Sequence, residues 1–264
     1  MFRARIALLA LAVPAVALSV TAGQANAAAP IPAIAHPVTN ITMGGASPNW
    51  AGYVAYGRKF RYVTATFEVP RLDCARTPGY GLPAVAAAWV GLDGDGTRTV
   101  EQDGIMGQCL HGAASYYAWW EMYPKAPVYA GWRLRPGDII DASVWYDAPA
   151  GKYRLDLTDR TSGASFSNWE RCGASSCANA TAEVITESPG KSGSSGYYPL
   201  ADWGTSSYWD ISITDGVGQR GGFDSGHWTS TSVRMVGTNG DTKTATGGLS
   251  SSGTTFRTYW ENRS

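Results

Sequence analysis

Short segments with a strand-like pattern recur along the chain, and this recurrence limits the folds that the chain can adopt. Tyr62 to Val69 alternate between two faces until Pro70 ends the segment, and Ala182 to Glu187 alternate in the same way. The chain also carries 14 Tyr, 11 Trp and 32 Gly, which favours strands joined by tight turns. Long helical patterns are absent from the sequence. The pattern predicts one all-β domain, an antiparallel β-sandwich or jelly-roll.

The densest group of such signals lies between Val85 and Pro124. Val85 to Val90 is a continuous apolar run, typical of a strand that is covered on both faces. Gly91 to Gly96 follows as a turn, and Tyr116 to Tyr123 is a strand with bulky residues on both faces. Between them we predict a short extended segment, Thr97 to Gln102, that breaks at Asp103–Gly104.

The first 27 residues have the pattern of a secretory signal peptide. Arg3 and Arg5 precede an uncharged, mostly apolar run, and small residues around Ala27 fit a cleavage site. No later stretch is apolar over the roughly 20 residues that a membrane helix needs. We therefore expect a secreted, extracellular protein that has no membrane association once residues 1–27 are removed.

The composition changes again over residues 28–46, which are rich in proline, glycine and small residues and contain no Asp, Glu, Lys or Arg. We predict a linker or a short propeptide here, followed by a β-sandwich domain over residues 47–264. Beyond residue 27 the chain has 19 basic and 21 acidic residues, a net charge of −2. This balance favours neither nucleic acid nor an anionic membrane as a partner. We expect the mature protein to be a monomer.

All four cysteines lie in the part of the chain that we expect to be exported, where disulfides form readily. Four cysteines allow three pairings. We favour Cys172 with Cys177, which closes a small loop, and Cys74 with Cys109. A zinc site is the weaker interpretation, because the spacing within CGASSC is unusual for zinc and no histidines flank it.

Common catalytic signatures are missing from the sequence. The histidines are His36, His111 and His227, and their spacing does not suit a metal site. The residues around His227 also fail to match a serine triad. A calcium-like loop begins at Asp93 but fails where Arg98 occupies the glycine position, so a hairpin turn is the better interpretation. We expect neither a metal nor another cofactor.

Acidic residues embedded among aromatic residues are what remains: Asp93, Glu121 and Glu183. Burial next to tryptophans raises the pKa of a carboxyl group, and enzymes obtain an acid or a base from glutamate in this way. Taken one at a time, each of these residues is more simply interpreted as a solvated or paired strand carboxylate.

Six short blocks, taken together, point to a known family. The chain contains NWAGYVA, TATFEVP, AAWVGLDGDG, EQDG, YAWWEMYP and AEVITE, in this order between Asn49 and Glu187. These blocks resemble the successive motifs of the glutamic peptidases (eqolisins). The resemblance extends to LADWG, which ends at Gly204, and becomes vague beyond it. It implies a secreted β-sandwich enzyme that hydrolyses polypeptide substrates.

The resemblance also implies which residues act. The catalytic glutamine falls on Gln102 and the catalytic glutamate falls on Glu183. Glu183 is expected to take a proton from the attacking water and to deliver it later to the leaving amine, while Gln102 orients the water and donates to the oxyanion. A base that works without histidine implies an acidic pH optimum. The supporting and substrate-binding roles fall on Trp50, Asp93, Trp119 and Glu121.

Three positions depart from the family pattern. Val184 replaces the tryptophan that follows the catalytic glutamate, Asp103 adds a carboxylate to the glutamine block, and Tyr117 stands where an acidic residue is usual. Because Val184 lies on the opposite strand face from Glu183, we interpret its change as one of packing. We expect Asp103 and Tyr117 to influence the pH optimum or the subsite preference.

Two other functions fit parts of the pattern. A glycoside hydrolase on a concanavalin-like sandwich also uses paired glutamates in an aromatic-lined cleft, with Glu121 and Glu183 as acid and nucleophile. A carbohydrate-binding module uses exposed Trp and Tyr side chains without catalysis. Neither alternative gives Gln102 a role, whereas the peptidase interpretation does.

Overall fold

The computed structural model describes residues 31–35, 39, 41–42 and 45–262. Every regular element among these residues is a β-strand, so the predicted all-β class is confirmed. The strands are β1 (Ile34–Ala35), β2 (Ala46–Ser47), β3 (Trp50–Tyr56), β4 (Phe60–Glu68), β5 (Ala84–Asp93), β6 (Val100–Leu110), β7 (Ala113–Tyr123), β8 (Val128–Arg133), β9 (Ile139–Asp147), β10 (Lys152–Asp159), β11 (Ser165–Glu170), β12 (Ala182–Glu187), β13 (Gly190–Lys191), β14 (Thr205–Asp215), β15 (Arg220–Gly221), β16 (Thr229–Val236), β17 (Thr242–Thr246) and β18 (Phe256–Trp260).

Two layers of strands make up the domain. The first sheet has the strand order β8-β7-β6-β5-β12-β3-β16, and the second has the order β11-β10-β9-β4-β14-β18-β17. The two sheets are continuous through the pairing of β16 with β17. Among the described strands, only the short β2 runs parallel to its neighbour, β16. This arrangement is the antiparallel β-sandwich that the sequence predicts.

Apolar side chains from both sheets fill the space between the layers. On β5, Ala88 and Val90 belong to this core, while Ala87 and Trp89 belong to a second apolar cluster on the outer face of the first sheet, which is turned away from the second sheet. All residues of β5 are buried, as its continuous apolar run predicts. Burial of apolar surface contributes about 25 cal/mol per Å², so the large aromatic side chains of both clusters contribute most.

The β6 strand is longer than the sequence suggests. It runs unbroken from Val100 to Leu110, so the predicted break at Asp103–Gly104 is wrong. A Cβ atom at Gly104 would lie 2.2 Å from the carbonyl oxygen of Ala88 and 2.6 Å from the Cβ atom of Trp89. The glycine therefore permits a close approach of β5 and β6 and does not end the strand. The β5 strand likewise continues to Asp93, beyond the predicted start of the turn.

Both favoured disulfides are present. Cys74 is bonded to Cys109 and Cys172 is bonded to Cys177, and the described chain has no free cysteine. The first disulfide joins the segment after β4 to the end of β6. The second closes a small loop between β11 and β12, the strand that carries Glu183.

The N-terminal predictions fall partly outside the described residues. The predicted signal peptide, residues 1–27, lies wholly outside them. Within the predicted linker or propeptide, residues 28–46, the described part includes β1, and Ile34 is 4% exposed. The described residues contain no helix that is long and apolar enough to cross a membrane.

Candidate active site

A row of residues crosses the outer face of the first sheet. Glu183 on β12 lies opposite Gly91 on β5, and Gly91 lies opposite Gln102 on β6. Gln102 in turn lies opposite Glu121 on β7. Directly opposed residues point to the same side of a sheet, so the three side chains share one face. The strand register therefore brings together the glutamine and the glutamate that the family resemblance implies.

Gly91 separates Gln102 from Glu183 by one strand. Adjacent strands lie about 4.8 Å apart, so the Cα atoms of Gln102 and Glu183 are about 10 Å apart. Gly91 carries no side chain, so no side chain of β5 projects from this position between Gln102 and Glu183.

A hydrogen bond fixes the side chain of Gln102. Its Nε2 atom donates to Oε2 of Glu121 over 2.7 Å, and both residues are fully buried. The contact turns the amide nitrogen of Gln102 toward the carboxyl group of Glu121. Glu121 therefore supports Gln102 from the side that faces away from Glu183.

Burial raises the pKa of Glu183 well above the usual value for glutamate. The negative charges of Asp93, Asp95 and Glu101 add to this increase, whereas the hydroxyl group of Thr181 opposes it. A proton consequently stays on Glu183 to a higher pH than on an exposed glutamate.

Asp93 supports the site from the end of β5. Its backbone lies in the left-handed region, with a φ of 65°. Its carboxylate accepts three backbone hydrogen bonds of 2.7 Å, from Ala178, Asn179 and Ala180. These bonds hold the segment that leads into β12, so Asp93 helps to set the position of Glu183. We name residues 178–180 the anchored segment.

Tryptophan side chains surround the row. Trp50 and Trp89 meet edge to face with ring centroids 4.9 Å apart, and Trp119 is buried in the same apolar cluster. Trp89 Nε1 donates a 2.8 Å hydrogen bond to Oε2 of Glu187. The residues predicted from the sequence omit Trp89 and Glu187, although the alternation of β12 places Glu187 on the same face as Glu183.

Two further carboxyl groups lie on the opposite face of β6. Glu101 and Asp103 flank Gln102 in sequence and are fully buried on the side of the second sheet. Burial raises the pKa of both groups well above their usual values, with added effects of Asp93 on Glu101 and of Asp156 on Asp103. Asp103 points away from the row, so it does not line a subsite there, and its influence on the pH optimum stays a prediction.

Tyr117 lies on the same face as Trp119 and Glu121, because the three residues alternate along β7. Its hydroxyl group accepts a 3.2 Å hydrogen bond from Nε2 of Gln108, and its ring meets that of Tyr129 edge to face. An influence of Tyr117 on subsite preference stays a prediction.

The described part of the N-terminal segment lies against this outer face. The β1 strand pairs with β13, and Ile34 joins the apolar cluster that contains Trp89. Further along, Thr39 donates a 3.2 Å backbone hydrogen bond to Gly94 and accepts one of 3.0 Å from Gly96, both in the turn after β5. With this segment in place, the six predicted site residues are all fully buried.

One group of potential metal ligands lies close together, formed by the carboxylate of Glu101 and the sulfur atoms of Cys172 and Cys177. The two sulfur atoms are joined in a disulfide, which removes the thiolates that a metal would need. These residues therefore do not form a metal centre.

The structure is a β-sandwich that places an amide and a carboxylate on either side of a glycine, on an aromatic face. Residues 48–258 match the model of the Peptidase A4 family, and the chain belongs to this family. The predicted relationship to the eqolisins is thereby confirmed.

Known relatives agree with this assignment. Scytalidopepsin B from Scytalidium lignicola is 32% identical over 176 residues, which cover 63% of each chain. Aspergillopepsin-2 from Aspergillus niger is 34% identical over 114 residues, 37% of this chain and 40% of the relative. The chain thus spans less than two thirds of the length of these relatives. A crystal structure of scytalido-glutamic peptidase with a peptide-based transition state analog is 27% identical with a TM-score of 0.67, and the match covers 81% of this chain and 98% of that chain.

Proposed function

We propose that the mature protein is a secreted acid endopeptidase in which Gln102 and Glu183 activate a water molecule against a peptide bond. The observation that carries this proposal is the cross-strand row, in which Gly91 alone separates the two residues. Every member of the row comes from one chain, which supports action as a monomer.

The reaction begins with a water molecule above Gly91. Once the covering N-terminal segment is removed, water reaches Glu183 and lowers its raised pKa toward the usual value, so the carboxylate is ionised in mildly acidic solution. The carboxylate then takes a proton from this water, and the water oxygen forms a bond to the carbonyl carbon of the substrate. A tetrahedral intermediate results. Glu183 then delivers the proton to the amide nitrogen as the carbon–nitrogen bond breaks, which releases the amine and regenerates the carboxylate.

Gln102 orients the water and stabilises the charge that develops on the carbonyl oxygen. A side-chain amide carries two N–H hydrogens, and the 2.7 Å bond to Glu121 uses one of them. The other donates to the oxyanion in the proposed intermediate. A donor held in place needs no reorganisation during the reaction, and removal of one such donor costs about 3 kcal/mol of transition-state stabilisation.

The surroundings of the row support a polypeptide substrate. Trp50, Trp89 and Trp119 supply apolar walls for substrate side chains. The similar scytalido-glutamic peptidase has been solved with a peptide-based transition state analog. The two disulfides and the N-terminal signal pattern support export from the cell.

The geometry disfavours the glycosidase alternative. Glu121 and Glu183 lie three strand spacings apart, about 14 Å between Cα atoms, and Gln102 and Gly91 stand between them in the row. Glu121 is moreover bonded to Gln102, which lies between it and Glu183 in the row.

We further propose that residues 28–46 form a propeptide that is removed on activation. Ile34 and Thr39 contact the outer face of the first sheet, where the row lies, and Ile41 donates a 2.8 Å hydrogen bond to Asp95 in the turn after β5. Mass spectrometry after incubation at acidic pH tests this step. We expect a product that begins near residue 47, and an intact N-terminus in fully active protein would contradict the proposal.

The endopeptidase proposal is tested by digestion of casein between pH 2 and pH 7. We compare the wild-type protein with the variants Gln102→Ala and Glu183→Gln. The matched control is Glu68→Gln, which alters an exposed glutamate at the end of β4. We expect the control to retain full activity and both site variants to lose at least 100-fold in kcat. Near-wild-type activity of either site variant would show that the assigned pair is wrong.

A further inference from the structure

A cavity of about 520 Å³ lies beside the row, at the far end of β12 from Glu183. It is lined by Ser47 and Pro48 ahead of β3, by Lys191 after β12, and by Lys243 on β17. Thr42 and Ala46, from the segment that we propose is removed on activation, also line it, so the cavity is more open on that side in the mature protein. Its volume falls within the range of about 300 to 1,000 Å³ that is usual for ligand sites. The cavity contains none of the predicted site residues.

Lys243 is the unusual member of this lining. It is 5% exposed, and its ammonium group donates a long hydrogen bond of 3.5 Å to the hydroxyl oxygen of Ser188. An ammonium group carries three donors. Among the described residues, no carboxylate lies within ion-pair distance of it. Lys243 therefore presents donors to the cavity that the described protein does not satisfy.

The cavity is positively charged. Lys191 and Lys243 are two of the five lysines in the chain, and none of the described residues that line the cavity is acidic. Burial lowers the pKa of Lys243 to about 8, so its amine stays protonated in acidic solution. A buried positive charge without a partner is costly, and a negative group that enters the cavity offsets this cost.

We propose that this cavity is a specificity subsite that binds a carboxylate of the peptide substrate between Lys243 and Lys191. The inference rests on the proposed peptidase function and adds a substrate preference to it. The carboxylate comes either from an acidic side chain or from the C-terminus of the peptide, and both sources offer the same two oxygen acceptors to the ammonium groups.

The fold sets the distance between this subsite and the scissile bond. Ser188, which contacts Lys243, follows β12 and lies five positions after Glu183. Five residues of extended chain span about 16 Å. A bound peptide therefore places the recognised carboxylate about four to six residues from the bond that is cleaved.

Peptides of matched sequence test the proposal at about pH 5.5, where a glutamate side chain is ionised and a lysine is protonated. One set carries Glu or Gln at each position from three to seven residues on either side of the cleavage site. A second set, without acidic residues, ends in a free carboxylate or in an amide. We expect one position, or the free terminus, to give a kcat/KM on the order of tenfold higher than its neutral counterpart, mainly through KM.

Substitutions assign this preference to the cavity. In Lys243→Met we expect the ratio between the acidic and the neutral peptide to fall to about one, and in Lys243→Arg we expect part of it to remain. The control is Lys152→Met, which removes the same charge from the second sheet. A thermal unfolding curve for each variant verifies that it folds. A wild-type protein without any preference, or a preference retained in Lys243→Met, would overturn the proposal.

A binding measurement tests the carboxylate subsite independently of the proposal that Gln102 and Glu183 are catalytic. Fluorescence anisotropy records the binding of the same labelled peptides to Glu183→Gln protein, which does not need to cleave them. If neutral peptides are cut but no carboxylate is preferred, the subsite is wrong and the endopeptidase proposal stands. If no peptide is cut but acidic peptides bind more tightly and Lys243→Met abolishes this difference, the subsite stands and the catalytic proposal is wrong.

Discussion

The side-chain amide of Gln102 donates a 2.7 Å hydrogen bond to the carboxylate of Glu121, its direct neighbour across β6 and β7. This bond gives the two buried glutamates, Glu121 and Glu183, different roles. Glu121 holds an amide in place, while Glu183 faces the other side of that amide across Gly91. The proposed mechanism depends on this division, and it leads to a graded prediction.

Replacement of Glu121 should weaken catalysis in proportion to the loss of its acceptor. In Glu121→Gln a neutral acceptor remains, and we expect a modest fall in kcat. In Glu121→Leu no acceptor remains, and we expect kcat to fall about tenfold or more with a smaller change in KM. Steady-state kinetics with one neutral peptide give both values. An equal effect of the two substitutions would contradict the role of the hydrogen bond.

A methyl group at Gly91 should obstruct the proposed position of the water. A Cβ atom there would lie 3.0 Å from Cζ3 of Trp89 and 3.3 Å from Cβ of Gln102. We expect Gly91→Ala to lower kcat by about 100-fold, because small displacements within a reacting pair have effects of this size. Gly131→Ala on β8 is the matched control, since its added Cβ meets no atom within 4 Å. Full activity of Gly91→Ala would show that the water lies elsewhere.

The pH dependence of activity should respond to the charge of Asp95. Asp95 raises the pKa of Glu183 because its negative charge disfavours ionisation of the glutamate. Removal of this charge in Asp95→Asn lowers the pKa of Glu183, so the base becomes ionised at a lower pH. We expect the acidic limb of the kcat/KM profile to move to lower pH. A shift toward higher pH would exclude Glu183 as the group that titrates on this limb.

The stability of the domain should fall as the pH rises from acidic to neutral. Burial raises the pKa of Glu101 and Asp103 in the folded state, so both groups keep their protons after the unfolded chain has released its own. Their contribution to stability is complete below the pKa values of the unfolded chain. It is lost as the pH rises toward the folded values, by at most about 1.4 kcal/mol per pH unit for each group.

Urea unfolding at several pH values measures this effect. We expect Glu101→Gln and Asp103→Asn to flatten the dependence of the free energy of unfolding on pH, because neither replacement ionises. Glu68→Gln, at an exposed position, serves as the control. A dependence that is unchanged in both core variants would show that other groups determine it.

Local patterns in the sequence are sufficient to predict several elements of this fold. The strand from Ala182 to Glu187 is predicted with its observed bounds, because its alternation is regular and β-branched residues fill it. The small loop closed by Cys172 and Cys177 follows from spacing alone. The pairing of Gln102 with Glu183, by contrast, was available only through the resemblance to the family.

Other features depend on contacts that no local pattern reveals. Gly104 has the appearance of a strand breaker, yet it occupies a close contact with the backbone of β5, and the sequence contains no sign of that neighbour. The predicted break also prevented a prediction of where the Asp103 side chain points. In an unbroken strand, consecutive residues point to opposite faces, so Asp103 and Gln102 lie on different faces of β6. The hydrogen bond between Gln102 and Glu121 depends on the register of β6 and β7, which is set by the whole sheet.

The three hydrogen bonds of Asp93 have a consequence for how this domain tolerates changes in sequence. They fix the anchored segment immediately ahead of β12, so the backbone that carries Glu183 is held from within the domain. The position of Glu183 therefore does not depend on the conformation of the preceding loop, which the disulfide between Cys172 and Cys177 closes. Changes in this loop that keep the close packing of Gly173 against β7 are therefore open to evolution, and to protein engineers who wish to graft a recognition sequence near the proposed active site.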